Sequence, residues 1–201
     1  GGNFGTSLKK CGYDALIIKG RAESPIHISI EDDKVEIKDA SHLWGMKTGE
    51  AQTHLDAKAG KMVIGPAGEN LVKYACIISG ERALGRCGVG AVMGSKNIKA
   101  ITAKGTKKIP VANPEEYKKA IQGWIKLLKA HPTTGKTLPE LGTANMVNKV
   151  NVSHCLPTEN FSKAFYEEAE SISGEKLAEE YLVKNVGCVS CPIRCARVVK
   201  V

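Results

Sequence analysis

A chain of 201 residues with 42% hydrophobic and 25% charged positions can bury the core of one large domain or two small ones. It holds no apolar run of about 18 residues that would span a membrane as a helix. A net charge of +8 points to an anionic cofactor, an acidic protein or nucleic acid, but aromatics at 5%, with no basic–aromatic interleaving, argue against nucleic acid.

The opening "GGNFG" reads as a glycine turn. Short strands are expected from there to residue 109. An apolar run at residues 15–18 closes on a glycine turn. Alternation at Ile26, Ile28 and Ile30, then at Val35 and Ile37 across "EDDK", predicts a hairpin. One helix is expected within residues 47–59. "KMVIGPAGENLVKYACIIS" predicts a strand, a Gly-Pro turn and a second strand. "NIKAITAKG" predicts a further strand with Ile98, Ala100 and Thr102 on one side.

The character then changes. Asn113 as cap, Pro114 at the first helical position and Glu115 and Glu116 at the positive end of the dipole predict a helix. Its apolar stripe is Tyr117, Ile121, Trp124, Ile125 and Leu128. "GTANMVNKVN" predicts a short helix, "SGEKLAEEYLVKN" another that enters the cysteines, and "ARVVKV" is strand-like. Strands followed by helices predict an α+β fold: a β-rich domain over 1–109 and a mainly helical segment over 110–201.

Seven cysteines are too scattered for a disulfide scaffold, which suits a reducing cytoplasm. Cys11, Cys76, Cys87 and Cys155 stand alone, whereas Cys188, Cys191 and Cys195 form C-x2-C-x3-C. Three soft thiolates at that spacing suit three corners of a [4Fe-4S] cluster, or zinc with His154 or Cys155 as fourth ligand. Radical enzymes that use S-adenosylmethionine carry the reverse order. A second constellation, "SGERALGRCGVGAVMGSKNIKAI", interleaves five glycines with Arg82, Arg86, Lys96 and Lys99. Glycines admit close backbone approach and arginine forks bind phosphate, so the motif reads as an anion cradle or as a tight turn packed on a sheet.

"KKCGYDALIIKGRAESP", "VEIKDASHLWG", "IGPAGENLVKYA", "GRCGVGAVMGSKNIKAI", "LPTENF" and the cysteine loop follow one another in an order that resembles the tungsten-dependent aldehyde ferredoxin oxidoreductases. The resemblance implies a β-rich base for a tungsten (or molybdenum) bis-pyranopterin, with Mg2+ bridging the pterin phosphates, and a [4Fe-4S] cluster that passes electrons to ferredoxin. It carries the cluster ligands to Cys188, Cys191 and Cys195, with the fourth cysteine far along a longer chain. It carries pterin contacts to Arg82, Ala83, Gly85 and Arg86, and to Gly1 and Gly2 as the end of an earlier contact segment. The implied reaction is oxidation of an aldehyde to a carboxylate in an anaerobic cytoplasm, by a full chain that can form a homo-oligomer. The acid/base residues are expected beyond Val201, so an isolated piece of this extent would be inactive. None of His27, His42, His54, His131 and His154 is assigned that role. Cys87 departs from the family, since it occupies a place where a small, glycine-like residue is usual, and a positive φ there would strain it.

Overall fold

Phe4, Leu8 and Cys11 stand at the i, i+4, i+7 spacing of one helix face. The computed structural model, which describes residues 2–200, winds the stretch into α1 (Phe4–Lys10) with Cys11 at its C-cap. The glycine turn expected at "GGNFG" is not formed: Phe4 and Gly5 belong to the helix, whose last turn carries Lys9 and Lys10 at the negative end of the dipole. Residues 15–18 join no ladder. Strands β1 (Ile26–Glu31) and β2 (Lys34–Asp39) form the expected hairpin, with Ile28 opposite Ile37 and Ile30 opposite Val35.

A 3-10 turn at Ser41–Leu43 leads to α2 (Thr48–Thr53), which is shorter than the expected helix. β3 (Gly60–Val63) follows, then α3 (Pro66–Glu69), where a Gly-Pro turn was expected. Gly65 is its N-cap and Pro66 its first residue, a place where the missing N–H costs nothing. β4 (Ile77–Ser79), β5 (Arg82–Leu84), α4 (Val89–Ser95) and β6 (Ile98–Lys104) complete the unit. The sheet runs β2-β1-β6-β3-β4-β5, with β1 and β6 parallel and the other pairs antiparallel.

Both faces of the sheet's middle are covered, whereas Val35 and Ile37 of the margin strand β2 stay exposed. Leu8 of α1 and Met93 of α4 pack with Ile30, Ile64, Ile77, Ile98 and Ile101 on one face. Leu43 and Leu55 pack with Val63 and Ala100 on the other. Ile98 and Ala100 thus part company, against the expected single side. The register of β1 on β6 shifts between Ile26 and His27, so that Ile26 faces Ile98 and His27 faces Ala100, with Lys99 as the extra residue of a β-bulge. The bulge sends Lys99 inward. Its ammonium is fully buried against Glu69 at 2.5 Å and donates to the Met46 carbonyl at 2.8 Å, while Glu69 also accepts from the Gly45 N–H. Removing one partner of such a pair strands a buried charge, at a cost of about 3–5 kcal/mol.

The chain divides into Gly1–Pro110 and Val111–Val201. In the second unit the Asn113 side chain accepts from the Glu116 N–H at 3.2 Å and starts α5 (Pro114–Ala130). Its apolar stripe finds little cover: no residue of α5 is buried, and Trp124 is 61% exposed. α6 (Leu138–Leu141), α7 (Met146–Val152) and α8 (Gly174–Glu180) follow, the last capped by Ser173, which accepts from the Lys176 N–H. The chain after α8 does not stay helical. It turns into β7 (Leu182–Val186), which pairs antiparallel with β8 (Ala196–Val199), so the cysteines enter from a strand. The architecture is α+β. Among the described residues no helix is long and apolar enough to cross a membrane.

Candidate functional site

Residues 80–86 lie at the free edge of the six-stranded sheet. β5 is the last strand in its order and is held to β4 by three pairs, Ile77–Leu84, Ile78–Ala83 and Ser79–Arg82. Arg82 is half-buried, and Ala83, Gly85 and Arg86 are exposed. Among the described residues neither guanidinium enters a salt bridge. Two such cations beside an outward-facing strand edge suit an anion with several oxygens.

The glycines of this stretch divide into two jobs. A Cβ on Gly88 would collide with the Lys73 carbonyl, one on Gly90 would meet the Cys76 carbonyl at 2.5 Å, and one on Gly94 would collide with the Gly68 carbonyl. These three let α4 press against α3 and the chain before β4, so the packed-turn alternative accounts for them. Gly80 meets nothing within 4 Å, and Gly85 only the Cys76 sulfur at 3.8 Å. The open half of the motif is the half that carries the arginines.

The N-terminal glycines meet the same place. A Cβ on Gly2 would collide with Ser79 Oγ, so only glycine lets the first segment lie against the end of β4. Ser79 is 1% exposed, and among the described residues its hydroxyl has no hydrogen-bond partner. Gly2 and residues 79–86 are therefore brought together, while Gly1 lies outside the described residues. An orphaned hydroxyl, two guanidinium groups free of salt bridges and an open glycine fit a phosphate-bearing pterin. Two fasteners outside the motif hold this site. Gln52 of α2 bonds both backbone groups of Gly80, and Cys76 Sγ donates to the Gly85 carbonyl at 3.4 Å. No local pattern could have shown Gln52, which reaches Gly80 from 28 residues away.

The three clustered cysteines share the loop that closes β7 onto β8. The Cys191 N–H donates to the Cys188 carbonyl at 3.0 Å, and Ser190 and Arg194 take positive φ, which folds the loop tightly. Cys188 is exposed, Cys191 and Cys195 are half-buried, and all three are free thiols. Among the described residues no three His, Cys, Asp or Glu side chains converge as a metal-binding group. The donor set itself, three soft thiols on one short loop, fits an iron–sulfur cluster, and drawing thiolates together is part of what metal binding does.

The loop's base is firm. Arg197 donates to Asn185 Oδ1 at 2.6 Å and to the Leu138 and Pro139 carbonyls, and Arg194 donates to the Asn185 carbonyl. The alternative fourth zinc ligands are engaged elsewhere: His154 stacks on Phe165, and Cys155 Sγ donates to the Ser153 carbonyl. His27, His42 and His54 line a cavity of about 280 Å³ on the Leu43 side of the sheet. Burial, then Lys38 and His42, hold the His27 pKa below its ordinary 6.5, and His27 is hydrogen-bonded to Thr102 at 2.8 Å.

Comparison with known proteins covers both units. The family model of the aldehyde ferredoxin oxidoreductase N-terminal domain matches residues 1–105, and that of domains 2 and 3 matches residues 119–201. A tungsten-containing aldehyde ferredoxin oxidoreductase of Pyrococcus furiosus is 46% identical over 204 residues, which cover 98% of this chain and 34% of that protein. Its counterpart in Thermococcus kodakarensis is 45% identical over 206 residues, 100% of this chain and 34% of that one. A solved structure, the active site complex BamBC of benzoyl coenzyme A reductase with 1,5-dienoyl-CoA, matches with a TM-score of 0.77 at 31% identity. The match covers 100% of this chain and 33% of that one. The chain thus spans about a third of the length of the curated relatives it matches.

Proposed function

The chain belongs to the aldehyde ferredoxin oxidoreductase family, and from that premise we propose that it supplies the pterin cradle and the cluster loop of a tungsten-dependent enzyme that oxidises aldehydes. The net reaction is aldehyde plus water to carboxylic acid, two protons and two electrons, the electrons leaving singly to ferredoxin. When bound, the tungsten (or molybdenum) bis-pyranopterin supplies the two-electron oxidation and a [4Fe-4S] cluster the one-electron outflow.

The protein's part is binding and orientation. Arg82 and Arg86 would neutralise the pterin phosphates, together with Mg2+ as a further counter-charge. Ala83 and Gly85 offer exposed backbone at and beside the edge strand, and Gly2 lets the first segment lie against Ser79; Gly1 is a further contact carried over from the family. Cys188, Cys191 and Cys195 hold three irons of the cluster as thiolates. The excess of basic side chains favours an acidic electron acceptor such as ferredoxin. A cytoplasmic, homo-oligomeric enzyme is part of the same reading. The observation that carries it is an arginine edge free of salt bridges among the described residues, beside open glycines, in a chain whose family match runs through both units.

A second reading stays within the architecture. The BamBC match is a benzoyl coenzyme A reductase in complex with 1,5-dienoyl-CoA, so the same parts could serve a redox reaction on a thioester or another carbonyl substrate. One experiment separates them. The full chain, purified without oxygen, is mixed with oxidised ferredoxin and a panel of short aliphatic and aromatic aldehydes. Aldehyde-dependent ferredoxin reduction, with the matching carboxylate formed, is expected. No turnover of any aldehyde, with consumption of an aryl thioester under reducing conditions, would replace the first reading by the second.

A further inference from the structure

Gln52 belongs to no motif, yet it grips the turn that leads into the arginine edge. Its Oε1 accepts from the Gly80 N–H at 2.7 Å, and its Nε2 donates to the Gly80 carbonyl at 3.2 Å. Gly80 is the first central residue of the β4–β5 turn and holds φ +62, the position where a II′ hairpin turn carries glycine. Beyond that turn the hairpin rests on three residue pairs at the sheet margin. A ladder this short, with one strand unpartnered on its outer side among the described residues, opens readily.

We infer that Gln52 is a positioning residue for the bound pterin: one carboxamide stands in for a neighbouring strand at the turn and fixes where residues 82–86 present their donors. The inference rests on the reading of those residues as pterin contacts. Its physical basis is preorganisation. Donors held in place before an anion arrives bind it without a further ordering cost, whereas donors on a swinging hairpin must be ordered each time. The other fastener, Cys76 on Gly85, is a thiol and a weak donor. Gln52 therefore carries the larger share.

The test uses the full chain, pterin-loaded and purified without oxygen, as the unsubstituted protein, Gln52→Ala and Gln52→Met. Methionine keeps the length of the side chain and removes both bonds, so it separates lost bonding from lost packing. Amide hydrogen exchange is read at residues 80–86, and pterin loss is followed by the fluorescence of oxidised pterin in the filtrate. In both variants exchange is expected to rise at residues 80–86 and to stay unchanged in β1 and β6. Pterin is expected to leave about tenfold faster, the scale of two neutral hydrogen bonds. Should Gln52→Ala not fold, Gln52→Met alone decides. Unchanged pterin loss overturns the inference, whether exchange rises or not, and leaves the pterin reading standing. Absence of pterin from the unsubstituted protein overturns that reading, and the inference with it.

Discussion

Cys87 shows how a single backbone angle can be read against sequence. It directly follows Arg86 and holds φ +69, a region that disfavours any side chain with a Cβ. The strain anticipated from its place in the glycine motif is present. Cys87→Gly would relieve about 1–2 kcal/mol of strain and give back part of it through a more flexible unfolded chain. A net gain of about 1 kcal/mol is expected in chemical denaturation. A titrating residue gives a second test. Burial, Lys38 and His42 disfavour the charged form of His27, so its folded pKa lies below the unfolded 6.5. The unfolded chain therefore takes up the proton first. The stabilisation is present in full above pH 6.5 and is lost as pH falls from there through the folded value. In urea melts taken across that window, His27→Gln, which keeps a hydrogen-bonding group toward Thr102, should flatten the decline.

At the scale of elements, what the sequence made legible follows from how local each signal is. The β1–β2 hairpin and the start of α5 were legible because alternation and an Asn-Pro cap act over a few neighbouring residues. α1 was obscured by the glycines before it, although Phe4, Leu8 and Cys11 carry its period. The side assignment on β6 failed at Lys99 because a bulge breaks the period of two, and a bulge is set by the partner strand. β7 is not legible locally, because its partner, β8, lies beyond the cysteine loop. In the glycine–arginine motif the arginines and glycines were visible, but their division into packing and open positions depends on Lys73, Cys76 and Gly68, which lie outside it. That division makes a prediction. Gly94→Ala puts a methyl group into the Gly68 carbonyl and must force α4 away from α3, at about 2–3 kcal/mol in denaturation experiments.

For the molecule as a whole, each unit carries the residues proposed to hold one redox group. The first offers cations and open backbone at a sheet edge. The second offers three thiols on a braced hairpin loop. Cluster and pterin make separable demands, so metal content tests both together. The measurement is Fe, W, Mo and Zn by elemental analysis on the full chain purified without oxygen. About four Fe and one W or Mo per chain are expected if the cysteine loop holds a [4Fe-4S] cluster and the arginine edge a metal-bearing pterin. About one Zn, with neither Fe nor W nor Mo, would contradict that account and make the cysteine loop a structural zinc site.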